Sequence, residues 1–335
     1  MSPEDVSREP PAAGAYRIHL IDVGTGLSIL VQGHDFAMLY DAGSNDHDET
    51  PLRVLAYLAA VLGPSGDDLC VERGAPLPTT RVALANVVLS HPHFDHGSAM
   101  DLVVHCYDVA NLWDSGRVTD TVFYRDLIAA VARSPATTYH TASEVPADHV
   151  QSVKGLESTI TRWERFGEGD VVPLGAGARF TILHAEGKKL RDPNQNSIVL
   201  AVQLGATRLL LVGDAESGER RAPSAAPGGV EEFLLEQHAT ELRAEILQVG
   251  HHGSKTSSRH AFIAAVRPSL ALVSSGPKHY GPTVLPDAEV IDELHRDGAT
   301  VLRTDDHDAR CELPRRIGGA TGAGGCDSYI IDIRP

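Results

Sequence analysis

From Tyr16 onward the chain alternates short apolar runs with turns marked by Gly and Asp, a pattern that predicts strands ending at one edge of a sheet. Tyr16 to Leu20 alternates and runs into Ile21-Asp22-Val23-Gly24-Thr25-Gly26. Leu27 to Gln32 and Phe36 to Tyr40 follow, the latter ending at Asp41-Ala42-Gly43. This predicts a β-meander with Gly-rich turns. Leu52 to Leu62 has helical periodicity, Gly63 to Thr80 reads as a loop, and Val82 to Leu89 reads as a buried strand. Ser98 to His105 and Phe123 to Arg133 predict helices. Residues 110–169 carry no clear motif and leave room for an inserted cap. Within them Trp113 and Tyr124 are either base-stacking or core aromatics.

The second half repeats the plan. Arg179 to His184 predicts a strand, and Ser197 to Leu204 with Arg208 to Val212 predicts a hairpin about Gly205, ending at Gly213-Asp214. Pro223 to Gly229 is a loop and Val230 to Glu241 a helix. The strand Ile246 to Val249 stops at Gly250-His251-His252-Gly253-Ser254. His260 to Val266 and Asp287 to Arg296 are helical. Leu270 to Ser274, Thr300 to Arg303, Cys311 to Leu313 and Tyr329 to Ile333 are strands. Polar residues recur at strand C-termini, where open α/β architectures place their sites.

The densest chemistry is Ser90-His91-Pro92-His93-Phe94-Asp95-His96-Gly97, which follows the strand Val82 to Leu89 directly. His91 and His93, two apart, can converge on one metal, while Asp95 and His96, past the turn, can face a second. Imidazole and carboxylate without thiolate suit Zn, Mn or Fe better than a structural Cys-type zinc site.

Composition narrows the classes. A chain of 335 residues can bury a large core, and 42% hydrophobic with 22% charged residues is ordinary for a soluble protein. No run approaches the roughly 18 apolar residues of a membrane span. Residues 1–15 lack an apolar signal core and read as a flexible lead before one domain over 16–335, so a cytoplasmic location is expected. Cys70, Cys106, Cys311 and Cys326 are scattered without C-x-x-C spacing. In a reducing compartment they are expected as idle thiols. A net charge of −16 argues against a broad grip on nucleic acid, which rests on Lys and Arg neutralising phosphates. It leaves room for an enzyme whose metals and local cations handle a phosphate.

SHPHFDHG resembles the signature turn of the metallo-β-lactamase superfamily, which implies an αββα four-layer sandwich hydrolase. DVGTG with YDAGS, NQNSIVL, LLLVGDAE, VGHHGSKTSS and VLRTDDHDA resemble, in order, the C-terminal hydrolase domain of the bacterial competence DNA-uptake channel family and its free-standing relatives. The similarity runs from Tyr16 to about Leu313. It implies two divalent metal ions, Zn or Mn: His91 and His93 on the first, Asp95 and His96 on the second, and Asp214 bridging. His251 would complete the second metal, with His252 either replacing it or donating a proton beside the site. The superfamily's usual third His on the first metal is replaced here by Asn194, with His184 as the nearby substitute.

A metal pair of this kind activates water for in-line displacement, and Asp95 is placed to orient it as ligand and partial base. Asp22 and Asp41, at early strand ends, are either hydrogen-bond partners of ligand imidazoles or turn residues. Lys189, Lys255 and Ser254 are candidates for holding phosphate oxygens. The chain departs from the branch at HYGPTVLP, where His279 or Tyr280 would supply a lost group, and in DVGTGLS. The expected function is a two-metal phosphodiesterase or nuclease acting on DNA, RNA or a nucleotide, without a membrane and with a protein partner left open. Its rivals are a carbon-ester hydrolase (lactone, thioester or β-lactam) and a non-catalytic binding module.

Overall fold

The computed structural model describes residues 5–45, 50–63, 70, 76–307 and 326–335. In chain order the first half contains β1 (Tyr16–Leu20), β2 (Ile29–Gln32), β3 (Ala37–Tyr40), α1 (Thr50–Val61), β4 (Ala83–Leu89), α2 (Phe94–Gly97), α3 (Met100–Cys106) and β5 (Asp108–Asp114). It continues with α4 (Val122–Ala132), β6 (Thr138–Thr141), β7 (Val150–Val153), β8 (Leu156–Thr159) and β9 (Trp163–Arg165). The second half contains β10 (Val171–Gly175), β11 (Ala178–His184), β12 (Val199–Leu204), β13 (Thr207–Leu211), α5 (Gly229–Gln237), β14 (Ile246–Gln248) and α6 (His260–Val266). It ends with β15 (Leu270–Val273), β16 (His279–Tyr280), β17 (Thr283–Val284), α7 (Ala288–Arg296), β18 (Thr300–Arg303) and β19 (Tyr329–Ile333).

Two sheets carry the fold, in the orders β19-β1-β2-β3-β4-β5-β6-β9 and β10-β11-β12-β13-β14-β15-β18. Strand periodicity of two decides which core each residue enters. Ile29 and Val31 of β2 and Val88 of β4 join Phe180, Leu200 and Leu209 in the core between the sheets. Leu30, Val87 and Leu89, one residue out of step, face α1, α3 and α4 on the outer side. The second sheet is covered likewise, by α5 and α6 over Leu183, Val199 and Leu210, and by α7 over Ala271 and Val273. Helices, sheet, sheet and helices therefore form four layers.

Strands β3 to β6 are parallel, as are β13, β14, β15 and β18, so their C-terminal ends gather on one rim. Glycines let the surrounding turns close on that rim. A Cβ on Gly43 would lie 2.5 Å from the Asp95 carbonyl oxygen, and one on Gly26 would lie 2.7 Å from it. The backbones interlock there: Leu27 N donates to Asp95 O, Ala42 N to His96 O, and Ala99 N to Ala42 O.

Two expectations change, and one open pair of readings is decided. Residues 110–169 are mostly not a cap, because β5, β6 and β9 extend the first sheet, α4 covers it, and β7–β8 forms a separate hairpin. Trp113 and Tyr124 are buried, the indole donating to Asn86 and the phenol to Asp114, so both are core aromatics. The cysteines are not idle thiols. Cys70 and Cys106 form a disulfide with Cα atoms 5.8 Å apart, and Cys326 is disulfide-bonded too. Disulfides persist mainly in oxidising surroundings, so the cysteines do not accord with a reducing compartment.

Most element ends fall within one to three residues of expectation, although α5 stops at Gln237 instead of Glu241. The strand expected at Cys311 to Leu313 lies outside the described residues, as does most of the 63–80 loop. From the lead, Val6 packs on the outer core and Arg8 donates to Ala60 O. Among the described residues no helix is long and apolar enough to cross a membrane.

Candidate metal centre

The rim brings five sequence segments together. β4 ends at Leu89, and the next residues turn sharply into α2, which His93 caps as its first flanking residue. β13 ends before Gly213-Asp214, where Gly213 takes φ +56° and passes so close to Ser90 that a Cβ there would clash at 2.8 Å. Gln248, the last residue of β14, clamps this turn: its Oε1 accepts from Val212 N and Gly213 N, and its Nε2 donates to Gly213 O. Beyond β14, His251 and His252 both adopt left-handed backbone, with φ of 48° and 54°. Two successive non-glycine residues in that region store strain of about 1–3 kcal/mol each, a cost that functional sites commonly carry.

Two donor groups result. His91, His93 and Asp214 form one, and Asp95, His96 and His252 form the other; within each, the possible ligand atoms lie within 4.8 Å of one another. Asp214 joins them, with Oδ2 3.9 Å from His91 Nε2 and 3.7 Å from His252 Nε2, and Oδ1 3.2 Å from His96 Nε2. Asp95 Oδ2 lies 3.6 Å from His252 Nε2.

The outer nitrogens are tied down. His96 Nδ1 bonds Asp41 Oδ2 at 2.8 Å, and His252 Nδ1 donates to Ser274 O at 2.9 Å. His91 Nδ1 lies 3.0 Å from Ser90 Oγ. Partners of this kind fix the tautomer and aim the opposite nitrogen inward. The inward atoms His96 Nε2, His252 Nε2 and Asp214 Oδ1 are buried without a hydrogen-bond partner. Buried polar atoms left so are costly, and a divalent cation is the species that would satisfy imidazole lone pairs and carboxylate together. The residues fit a metal pair.

The electrostatics agree. Burial, together with the positive charge of neighbouring His96, pushes His91 well below the usual imidazole range, which keeps it neutral for ligation. Burial opposes charge on His96, but Asp214 and Asp41 outweigh it and hold that imidazole well above its range. Asp214 is held well below the carboxylate range: burial opposes its charge, and His96, His252 and His251 overcome it. Asp214, buried where the imidazoles converge, thus demands positive charge there, which either the His96 proton or a cation can supply.

His251 stands apart from the second group. Its Nδ1 lies 2.5 Å from Glu216 Oε1 and 2.7 Å from Thr256 Oγ1, while Nε2 is 3.7 Å from Asp214 Oδ2. Against burial, Asp214 and Glu216 raise its pKa to about 9. Of the two alternatives left open, the geometry accords with His252 replacing His251, because the turn at 250–253 aims His252 into the Asp95–His96 group.

Other expected residues divide. Asp41 braces His96 and also accepts from Ser90 N and Ser90 Oγ, as one of its two readings required. Asp22 instead accepts from Gly24 N and Asp327 N, bracing the first turn to the C-terminal segment. Asn194 donates to Glu216 Oε1 at 3.0 Å and lies outside the first group. His184 is turned onto Ser197 O and the Phe233 ring, also outside it. Lys255 Nζ pairs with Glu289 and Ser254 Oγ accepts from Arg220, so both groups already have protein partners. Lys189 lines a cleft beside His93. His279 is exposed on β16, whereas the Tyr280 hydroxyl lies 3.5 Å from Asp95 Oδ2. Glu216 went unread in the sequence; its one signal is its place two residues past Asp214.

No protein-family model matches the chain. Recombination protein 2 of Haemophilus influenzae is 25% identical over 291 residues, covering 86% of this chain and 28% of that protein. Competence protein ComA of Neisseria gonorrhoeae is 33% identical over 129 residues, covering 38% of this chain and 17% of that protein. The chain thus spans little more than a quarter, at most, of the curated relatives it matches. Among solved structures, YhfI of Bacillus subtilis, a metallo-β-lactamase fold protein, is similar with a TM-score of 0.48 and 12% identity, over 95% of this chain and 99% of that one. The four layers with a His/Asp cluster on the strand ends are the αββα metallo-β-lactamase fold, and the sequence is similar to bacterial competence proteins.

Proposed function

We propose that this protein is a metal-dependent hydrolase of phosphodiesters, acting on nucleic acid or a nucleotide. In this reading His91, His93 and Asp214 would hold one divalent ion, and Asp95, His96 and His252 would hold the second; Zn and Mn both suit the donors. The observation that carries it is the pair of donor groups joined by Asp214, with three inward atoms buried and unpartnered. The chemistry such ions supply is polarisation of the phosphoryl group and activation of a water nucleophile.

The chain's own side chains do the rest. Asp95, near Tyr280, orients the nucleophile. His251, braced by Glu216 and Thr256, holds a proton facing a cleft of about 620 Å³ that Arg191 and Arg220 also line. Arg117 and Lys189 line the cleft on the His93 side. On the His93 side no carboxylate among the described residues joins these cations in the lining, which favours an anionic substrate over a neutral ester, whereas on the His251 side Asp192, Glu216 and Glu219 line the cleft beside the arginines. The likeness to competence proteins supports nucleic acid as its source.

Metal analysis beside a hydrolysis panel tests the reading. The native protein is expected to bind metal and cleave single-stranded DNA or a model phosphodiester, and Asp214→Asn to lose more than about 100-fold of that turnover together with bound metal. Turnover of a lactone panel with no phosphodiester cleavage would transfer the assignment to carbon esters.

A further inference from the structure

The cleft of about 490 Å³ beside His93 is built unlike the rest of the surface. One wall is apolar: Phe94, 48% exposed, and Val122, 53% exposed, are two of the few large hydrophobic side chains left open among the described residues. Phe94 is held edge-on by Phe123, with ring centroids 5.8 Å apart and planes at 83°, so its ring is fixed in place while much of it stays open. Facing groups are cationic and polar. Arg117 is only 6% exposed; it donates to Leu190 O, but its Nε is buried without a partner. Thr121 Oγ1 is likewise buried and unpartnered, and Lys189 completes the lining.

Among the described residues no carboxylate lines this cleft, although the chain carries a net charge of −16 and Asp192 lies near enough to act on Arg117 from outside the lining. An acidic protein that keeps one metal-side cleft free of acid, and buries a partly unsatisfied guanidinium there, has arranged it for an anion. The open ring beside that guanidinium adds a demand for a flat apolar group. A nucleotide combines the two.

We propose that this cleft is a nucleotide subsite. Phe94 and Val122 take a nucleobase flanking the scissile bond, and Arg117 with Lys189 takes the phosphate attached to it. The proposal rests on the phosphodiesterase reading above and narrows it to single strands, because only an unpaired base offers a free face to an aromatic side chain. Arg117, Phe94, Val122 and Thr121 thereby become specificity residues of the same centre.

The test compares the metal-loaded protein on a thymidine tetranucleotide and on a backbone of equal charge whose sugars carry no bases. The native protein is expected to favour the tetranucleotide by about ten-fold in kcat/KM, the size of one base–aromatic stack. Phe94→Ala should bring that preference to within two-fold, and Val122→Ala should reduce it in part. Arg117→Gln should lower kcat/KM on both strands alike. Equal cleavage of the two strands by the native protein, or an equal loss on both in Phe94→Ala, would overturn the subsite while leaving the phosphodiesterase reading intact. If neither strand is cleaved, that reading fails, and fluorescence anisotropy of the two labelled strands decides the subsite alone. Binding that is tighter with bases and depends on Phe94 upholds it; equal or absent binding removes it.

Discussion

His251 and His252 are adjacent and chemically identical in the same turn, yet the backbone buries one, half-exposes the other and gives them different work. His252 points its inner nitrogen, buried and unpartnered, at Asp95 and Asp214, whereas His251 is held by Glu216 and Thr256. His252→Gln should therefore remove about one equivalent of bound metal along with activity. His251→Gln should keep both ions and lose about 100-fold in kcat, with the alkaline limb of the pH profile gone, since a proton donor is lost as pH rises through its pKa. Equal metal loss in the two variants, measured by elemental analysis, would undo the assignment. At this scale the sequence was legible where chemistry is local: His91, His93, Asp95 and His96 fall in six residues, and their spacing alone pairs them. It was silent where geometry is made elsewhere. Which of two neighbouring histidines faces inward depends on two left-handed dihedrals, and Glu216, Arg117 and Tyr280 act through contacts 35 to 185 residues away along the chain.

Elements were read well where one face is apolar, and less well where a charge holds the join. The wall of the Glu216 cleft is such a place. Glu231, buried in the first turn of α5, accepts from Ser217 Oγ and from the backbone of Ser258 and Arg259. Arg259, almost wholly buried, donates to the carbonyls of Glu219, Arg221, Ala222 and Lys255. Two segments, 217–222 and 255–259, are thereby pinned to the start of one helix. Periodicity reports none of this, because a buried Glu and Arg look like surface residues in a helical pattern. Burial raises Glu231 from 4.5 to about 7, even against the bonds it accepts. Between those two pH values the folded state keeps a proton that the unfolded chain has released, so stability falls as pH rises through this window and levels off above it. The shift corresponds to about 3 kcal/mol. Urea unfolding should show the native protein losing stability from pH 5 to pH 8 relative to Glu231→Gln; parallel pH dependence of the two would contradict a buried, proton-retaining carboxyl.

Across the whole molecule, the rim that carries the donor groups and the disulfide serve separate ends. The rim is held by the packing of two sheets and by turns that cross between them, such as Tyr40 Oη donating to Ile198 O at 2.7 Å. The Cys70–Cys106 link instead fastens the last residue of α3 to a chain position 36 residues earlier. Spacing could not reveal it, since scattered cysteines do not declare their pairing. A closed loop of this length stabilises by roughly 4 kcal/mol in the chain-entropy model. α3 itself is buried throughout, with Leu102, Val103 and Val104 in the outer core, so it keeps its place beside His96 without the link. Removing both thiols, by Cys70→Ser with Cys106→Ser, should therefore lower the urea midpoint clearly while leaving metal stoichiometry unchanged. Under native, non-reducing conditions Cys70, Cys106 and Cys326 should resist alkylation, and a reductant should shift the native protein toward the double variant. A midpoint indifferent to reductant would return these cysteines to idle thiols and restore the case for a reducing compartment. A fall in bound metal alongside stability would mean instead that the disulfide positions α3 for the centre.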